Sequence, residues 1–212
     1  MRLYDYFRSS GAYRVRLALN MKGLEYESKV IHLSNNEQFA PEFAARNPQS
    51  LIPVLVDGEI TLTQSMAIIE YLEEVYPHPP LLPESALARA RVRSLALAVA
   101  CDVHPLNNLR VLRYLSGPLK LDEPTKLTWY QHWVTVGLTA LEERLGRESD
   151  TGQFCHGDSA GLADVFLIPQ LANARRYKVG LAAFPTLTRI EANCMRLDAF
   201  LRAAPEAQAD AE

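Results

Sequence analysis

The sequence predicts an α/β domain followed by an all-α domain. Three observations carry that division. Strand-like and helix-like patterns alternate through residues 1–82. Pro77-His78-Pro79-Pro80 and Pro83 then interrupt every regular pattern, as a linker does. Beyond them apolar residues recur at helical spacing almost to the end. The domains are accordingly placed at 1–82 and 83–212.

The elements follow in order. Residues 1–6 form a short apolar strand. Val15, Ala18 and Leu19 then sit at i, i+3 and i+4, a helix face that ends at Lys22-Gly23 with a cation and a glycine. Residues 26–33 read as a second strand, and 39–46 as a short helix stopped by Asn47-Pro48. Two strands, 54–56 and 60–62, flank Asp57-Gly58, a hairpin signal. Ile68, Tyr71, Leu72 and Val75 complete the domain with a helix ended by Pro77. The order βαβαββα is the thioredoxin-like arrangement. In the second half Val92, Leu95, Ala96, Val99, Val103 and Leu106 mark one long helix, with Pro105 expected to kink it. Leu127 to Leu145 mark another, and three more follow over 162–177, 186–195 and 197–203. The alanine-rich acidic tail after Pro205 is expected to fray.

Bulk properties narrow the function. The chain has 212 residues, 48% hydrophobic and 22% charged, with a net charge of −3. That is a composition able to bury a core, and it offers no electrostatic attraction to nucleic acid or an anionic membrane. The cluster Arg89, Arg91 and Arg93 reads as a solvated helix face plus a domain contact, with anion binding as the alternative. No apolar run approaches the roughly 20 residues of a membrane span, and no signal-peptide core opens the chain. Cys101, Cys155 and Cys194 are odd in number and widely spaced, which suits a reducing cytoplasm and gives neither a disulfide framework nor a metal site. Each is read as a small buried residue.

The residues able to carry chemistry lie at element ends. Ser9 or Ser10 falls at the N-cap of the first helix, where unpaired N–H groups suit an anion such as a thiolate, with Arg8 beside them. Capping alone also accounts for the two hydroxyls. Gly11 lets a ligand approach the backbone. Ile52-Pro53, just before a strand, is either an ordinary trans edge or a cis bond that exposes the Ile52 backbone. Gln64-Ser65 reads as a second N-cap with an amide beside it. His104 and Asn108 are spaced i, i+4, which puts both on one face of the kinked helix, with Arg110 nearby. Arg175-Arg176 ends a helix, where cations suit the dipole. No dinucleotide fingerprint, P-loop, H-E-x-x-H or G-x-S-x-G occurs.

The stretch YFRSSGAYRVRLAL at 6–19 resembles the signature of the zeta-class glutathione transferases, Ser-Ser-Cys followed by an aromatic residue and Arg-Val-Arg. NPQSLIPVL, LTQSMAIIEYLEE, HPLNNLRVL and LADVFLIPQLANARRYKV are similar to further blocks of that class, in the same order, from Met1 to about Ala204. The resemblance implies the glutathione transferase fold, a cytoplasmic homodimer, and glutathione as cofactor. It implies glutathione-dependent cis–trans isomerisation of a maleyl diacid, maleylacetoacetate or the similar maleylpyruvate, to its fumaryl isomer. The alternative is a general transferase or peroxidase acting on small haloacids.

Carried onto this chain, the resemblance implies that Ser9 and Ser10 hold and activate the glutathione sulfur. Gln38 and the Ile52 backbone would contact the tripeptide, with Gln64 and Ser65 at its γ-glutamyl end. His104, Asn108 and Arg110 would add contacts from the helical domain. Arg176 would close over the diacid, with Arg8 near its acid groups. Two departures stand out: Gly11 replaces the signature cysteine, and Gly161 replaces the hydroxyl that caps the helix ahead of Asp164.

Overall fold

The computed structural model describes residues 1–212. Contacts divide the chain into two compact units, Met1–Leu81 together with Met195–Glu212, and Leu82–Cys194. The sequence pattern carries the helical part through to residue 212, whereas the contacts group the last helix and tail with the first unit.

The first unit runs β1 (Arg2–Asp5), α1 (Ser10–Met21), β2 (Glu27–Val30), α2 (Pro41–Ala44), β3 (Val54–Asp57), β4 (Ile60–Thr63) and α3 (Ser65–Val75). The strands form one sheet in the order β2-β1-β3-β4. β1 pairs parallel with β2, and β3 pairs antiparallel with β1 and β4. Asp57 faces Ile60 across a turn whose Gly58 has φ +59°, a conformation glycine adopts without strain. Leu3, Leu17, Leu19, Leu55, Ile68 and Leu72 are fully buried.

The expected face of α1, Val15, Ala18 and Leu19, is buried, yet so is every residue from Ser10 to Leu19. The reason lies at the other end of the chain: α3 packs on α1, and so does α10 (Asp198–Ala203). Two arginines fall in this sealed stretch. Arg16 Nη1 pairs with Asp5 at 2.7 Å, and its Nε donates to the Ala203 carbonyl at 3.0 Å. A second buried pair, Lys22 with Glu73 at 2.7 Å, secures the proline-rich stretch. Lys22 Nζ also donates to the carbonyls of Tyr76 and Pro79, and the Glu73 carboxylate accepts the Leu81 N–H.

The tail does not fray. A 3₁₀ turn at Pro205–Ala207 is followed by Gln208, whose side chain donates to the carbonyls of Arg202 and Ala204 at 2.8 Å each. Asp210 Oδ2 then accepts the Phe7 N–H at 3.0 Å. Specific donors in the first unit thus order a segment whose composition is that of a solvated end.

The second unit is helical: α4 (Ala86–Leu97), α5 (His104–Asn107), α6 (Leu109–Ser116), α7 (Glu123–Arg147), α8 (Leu162–Arg176) and α9 (Pro185–Cys194). The single kinked helix expected around Pro105 is instead α4, a π-helical turn at Ala98–Val103, and α5. Proline has no N–H to return to the carbonyl four residues back, and the ladder widens ahead of it. At α8 the cap residue Gly161 has no side chain, and only the reciprocal half of a capping box remains. Asp164 Oδ2 accepts the Gly161 N–H at 2.9 Å, and Oδ1 accepts the Cys155 N–H at 2.9 Å. No helix is long and apolar enough to cross a membrane.

Candidate active site

Ser9 is the N-cap of α1, with extended backbone, and its Oγ accepts the Ala12 N–H at 3.2 Å. Ser10 is the first helical residue and is buried. Capping uses a lone pair of the Ser9 oxygen and leaves its hydroxyl proton free to donate, so a cap and an anion contact are compatible at one residue. The Gly11 N–H donates to no protein group. A side chain at Gly11 would bring its Cβ to 3.2 Å from Pro53 Cδ and 3.5 Å from the Ile52 carbonyl. The α1 N-terminus and the loop before β3 therefore touch.

The Ile52–Pro53 peptide is cis. Neither backbone polar group of Ile52 has a partner, whereas the neighbouring Leu51 carbonyl accepts from Asn47 Nδ2 at 2.7 Å. At α3 the expected cap is displaced by one residue. Ser65 is already helical, and Gln64 occupies the cap position with φ +69° and no side-chain cap. The first turn of α3 thus keeps its N–H groups for another acceptor. Gln64 Nε2 instead donates to Gln49 Oε1 at 2.7 Å, and Arg14 Nη1 approaches Ser65 Oγ at 3.4 Å. Gln38 is buried, with its amide oxygen unpaired. Arg8 is exposed, its guanidinium over the Phe7 ring at 4.7 Å and 3.9 Å from Glu212.

The second unit holds the remaining candidates. His104 and Asn108 do not share a helix face, because α5 stops at Asn107 and Asn108 is extended. Asn108 caps α6 instead, its Oδ1 accepting the Arg110 N–H at 3.1 Å. An i, i+4 spacing puts two residues on one face only where the helix is unbroken, and Asn is a strong N-cap. Arg110 is exposed. Arg176 ends α8 with its guanidinium 5.5 Å from the Tyr177 ring, which itself stacks on Tyr130 at 3.6 Å. Gln131 Nε2 donates to the Tyr177 carbonyl at 2.9 Å and fixes that end of α8 to α7. Arg175 is engaged by Glu191, which separates the two neighbouring arginines in role.

Two of the cysteines fail as thiolates. Burial pushes the thiols of Cys155 and Cys194 well up, so both stay protonated. Cys101 departs from expectation, being exposed on the π-helical turn. No cluster of His, Cys, Asp and Glu is placed to hold a metal ion.

Sequence reasoning missed Asp5, Arg14, Arg16, Gln49, Asp210 and Glu212. Arg14 and Arg16 stand in the Arg-Val-Arg block quoted above, but no role followed from it for either.

A small mixed sheet with an anion-ready helix end beside a cis-proline loop, preceding a helical unit, defines the class. Residues 1–74 match the family profile "Glutathione S-transferase, N-terminal domain", and residues 137–206 match "Glutathione S-transferase, C-terminal domain". The chain belongs to the glutathione S-transferase family. It is 50% identical to a probable maleylacetoacetate isomerase of Vibrio cholerae over 99% of this chain and 97% of that one. It is 46% identical to a maleylpyruvate isomerase of Ralstonia, covering 99% of each. Among solved structures it is similar to a maleylacetoacetate isomerase of Methylobacterium extorquens with bound malonate and glutathione. That comparison has TM-score 0.98 and 43% identity, covering 100% of both chains. It is also similar to a maleylacetoacetate isomerase of Anaeromyxobacter dehalogenans with bound dicarboxyethyl glutathione and citrate. There the TM-score is 0.89 and the identity 44%, over 100% of this chain and 97% of that one.

Proposed function

We propose that this chain is a glutathione-dependent cis–trans isomerase that converts maleylacetoacetate to fumarylacetoacetate. The observation that carries the reading is the set of unpaired groups around α1. These are the Ser9 hydroxyl proton, the Gly11 N–H, both backbone groups of Ile52, the Gln38 amide oxygen and the uncapped first turn of α3. They match the polar groups of an extended tripeptide with a thiolate on its central residue and a carboxylate at each end. The isomerases at 46–50% identity support the reaction class.

Bound glutathione supplies a thiolate that adds to the cis double bond, permits rotation about the resulting single bond, and leaves. The chain's residues make that thiolate available and hold the diacid. Ser9 donates its hydroxyl proton to the sulfur, and the α1 N-terminus favours the anion. Ser10 is the second hydroxyl of this end. Ile52 pairs with the tripeptide backbone, Gln38 accepts from it, and Gln64 with Ser65 and the α3 N-terminus takes the γ-glutamyl carboxylate. His104, Asn108 and Arg110 add contacts to the tripeptide from the helical unit. Arg8, Arg110 and Arg176 supply the cations for the two substrate carboxylates and the developing enolate. Gly11 means that no thiol of the protein takes part at this helix end. The reading includes a cytoplasmic homodimer with no nucleic-acid or membrane partner.

The test is turnover of maleylacetoacetate and of maleylpyruvate, each generated in situ by its ring-cleaving dioxygenase, with and without glutathione. Glutathione-dependent conversion without loss of free thiol supports the isomerase and ranks the two substrates. Binding of glutathione without conversion of either overturns it in favour of conjugation or reduction. Arg176→Ala is expected to raise KM for the diacid roughly tenfold or more, the worth of one charge-assisted hydrogen bond. The glutathione dissociation constant should stay unchanged in that variant, and an unchanged KM would remove Arg176 from the clamp.

A further inference from the structure

The tail reaches the loop that carries Arg8 and leads into Ser9. We propose that Asp210 and Glu212 are positioning residues for that loop. Asp210 sets the backbone ahead of Ser9, and Glu212 tempers the charge that Arg8 presents to a substrate carboxylate. The proposal rests on the isomerase reading above.

The Phe7 backbone is held on both sides of its Cα. Its N–H donates to Asp210 Oδ2 at 3.0 Å, and its carbonyl accepts from Arg16 Nη2 at 3.2 Å. In the same peptide group as the Phe7 N–H, the Tyr6 carbonyl accepts the Ser9 N–H at 2.9 Å, which passes the position of that group on to the cap. Arg16 is itself tied to the returning chain through the Ala203 carbonyl at 3.0 Å. The segment that reaches Asp210 therefore supports both grips. A loop held at both its N–H and C=O keeps Ser9 Oγ in one place, and hydrogen bonding to a thiolate depends on that placement.

Glu212 is fixed mainly by another residue. Its Oε1 lies 2.8 Å from His32 Nε2, and Ser34 Oγ lies 2.8 Å from His32 Nδ1. The His32 ring rests 5.0 Å from that of Tyr6. The other oxygen stays 3.9 Å from Arg8 Nη2, too far for a hydrogen bond and near enough to be felt as charge. The Arg8 donors remain available for shorter bonds to a substrate. The standing carboxylate weakens that attraction, and weakens it most for substrates bearing two negative charges.

Three variants test this, with circular dichroism confirming that each is folded. In Asp210→Ala, kcat should fall about fivefold or more, and enzyme-bound glutathione should ionise at higher pH, read by thiolate absorbance in the ultraviolet. Asp210→Asn keeps an acceptor for the Phe7 N–H and should restore both to within about twofold. Glu212→Gln should lower KM for the diacid about two- to threefold with kcat unchanged, and added salt should shrink the difference. Asp210→Ala with unchanged kcat and unchanged thiol ionisation would overturn the positioning role, because a purely structural tail would alter stability alone. An unchanged KM in Glu212→Gln would overturn the tempering of Arg8. Absence of isomerisation in the unmodified protein would count against the isomerase reading. The thiol ionisation of bound glutathione would still decide the role of Asp210.

Discussion

Replacing Arg16 with leucine is expected to cost about 3–5 kcal/mol of stability, the penalty for breaking a buried ion pair by removing one partner. Arg16 is fully buried, and its guanidinium meets the Asp5 carboxylate at 2.7 Å, the Phe7 carbonyl at 3.2 Å and the Ala203 carbonyl at 3.0 Å. Leucine leaves those two carbonyls without this donor, and leaves Asp5 with only the Tyr6 N–H. Burial pushes the Asp5 carboxyl up and the Arg16 charge opposes that push. Without the arginine, Asp5 must bind a proton or lie as an unpaired buried charge. Arg16→Lys keeps the charge but loses the planar fork, and should recover part of the loss. Chemical denaturation measures both. A loss under about 1 kcal/mol in Arg16→Leu would mean that the site relaxes or admits water. In the double variant with Asp5→Asn the two losses should fall short of additivity, since they remove one shared interaction.

Ser9→Ala is expected to lower kcat/KM for the diacid roughly 10- to 100-fold, the value of a hydrogen bond to a charged group. It should cost about 1 kcal/mol of stability, because the Ser9 oxygen also caps α1. Activity and stability should therefore separate in size, the lost cap costing little and the lost hydroxyl slowing turnover much more. Ser9→Thr retains a hydroxyl and should preserve most of both. Ser10→Ala, measured alongside, assigns the donor between the two serines, since Ser10 sits inside the helix while Ser9 stands at its mouth. Wild-type turnover in both alanine variants would remove sulfur activation from this helix end.

The strand–helix order was legible because each element keeps its own period and prolines fall at the joins. The α1 start was legible because two hydroxyls and a glycine follow an apolar strand. The gaps have physical causes. An arginine in a helix reads as solvent-facing, and nothing near Arg16 announces a carbonyl partner 187 residues away. The cap of α3 slipped by one residue because the left-handed backbone at Gln64 has no sequence marker. The spacing of His104 and Asn108 misled because a capping asparagine ends one helix and begins another within that interval. The tail looked unstructured because its order depends on single acceptors meeting single donors, which composition does not encode.

The return of residues Met195–Glu212 to the first unit bears on how the chain is born. A ribosome releases α1 early, yet Arg16 and Asn20 find their acceptors at Ala203 and Ala199, which emerge only after the helical unit has been made. Domains usually mature in the order of synthesis; here the first to appear is the last to be finished. Until then one flank of α1 stands open, with a buried-type arginine facing water. A fragment stopped at the proline boundary would keep it so, and the nascent chain carries this helix end unfinished until Ala203 has been made.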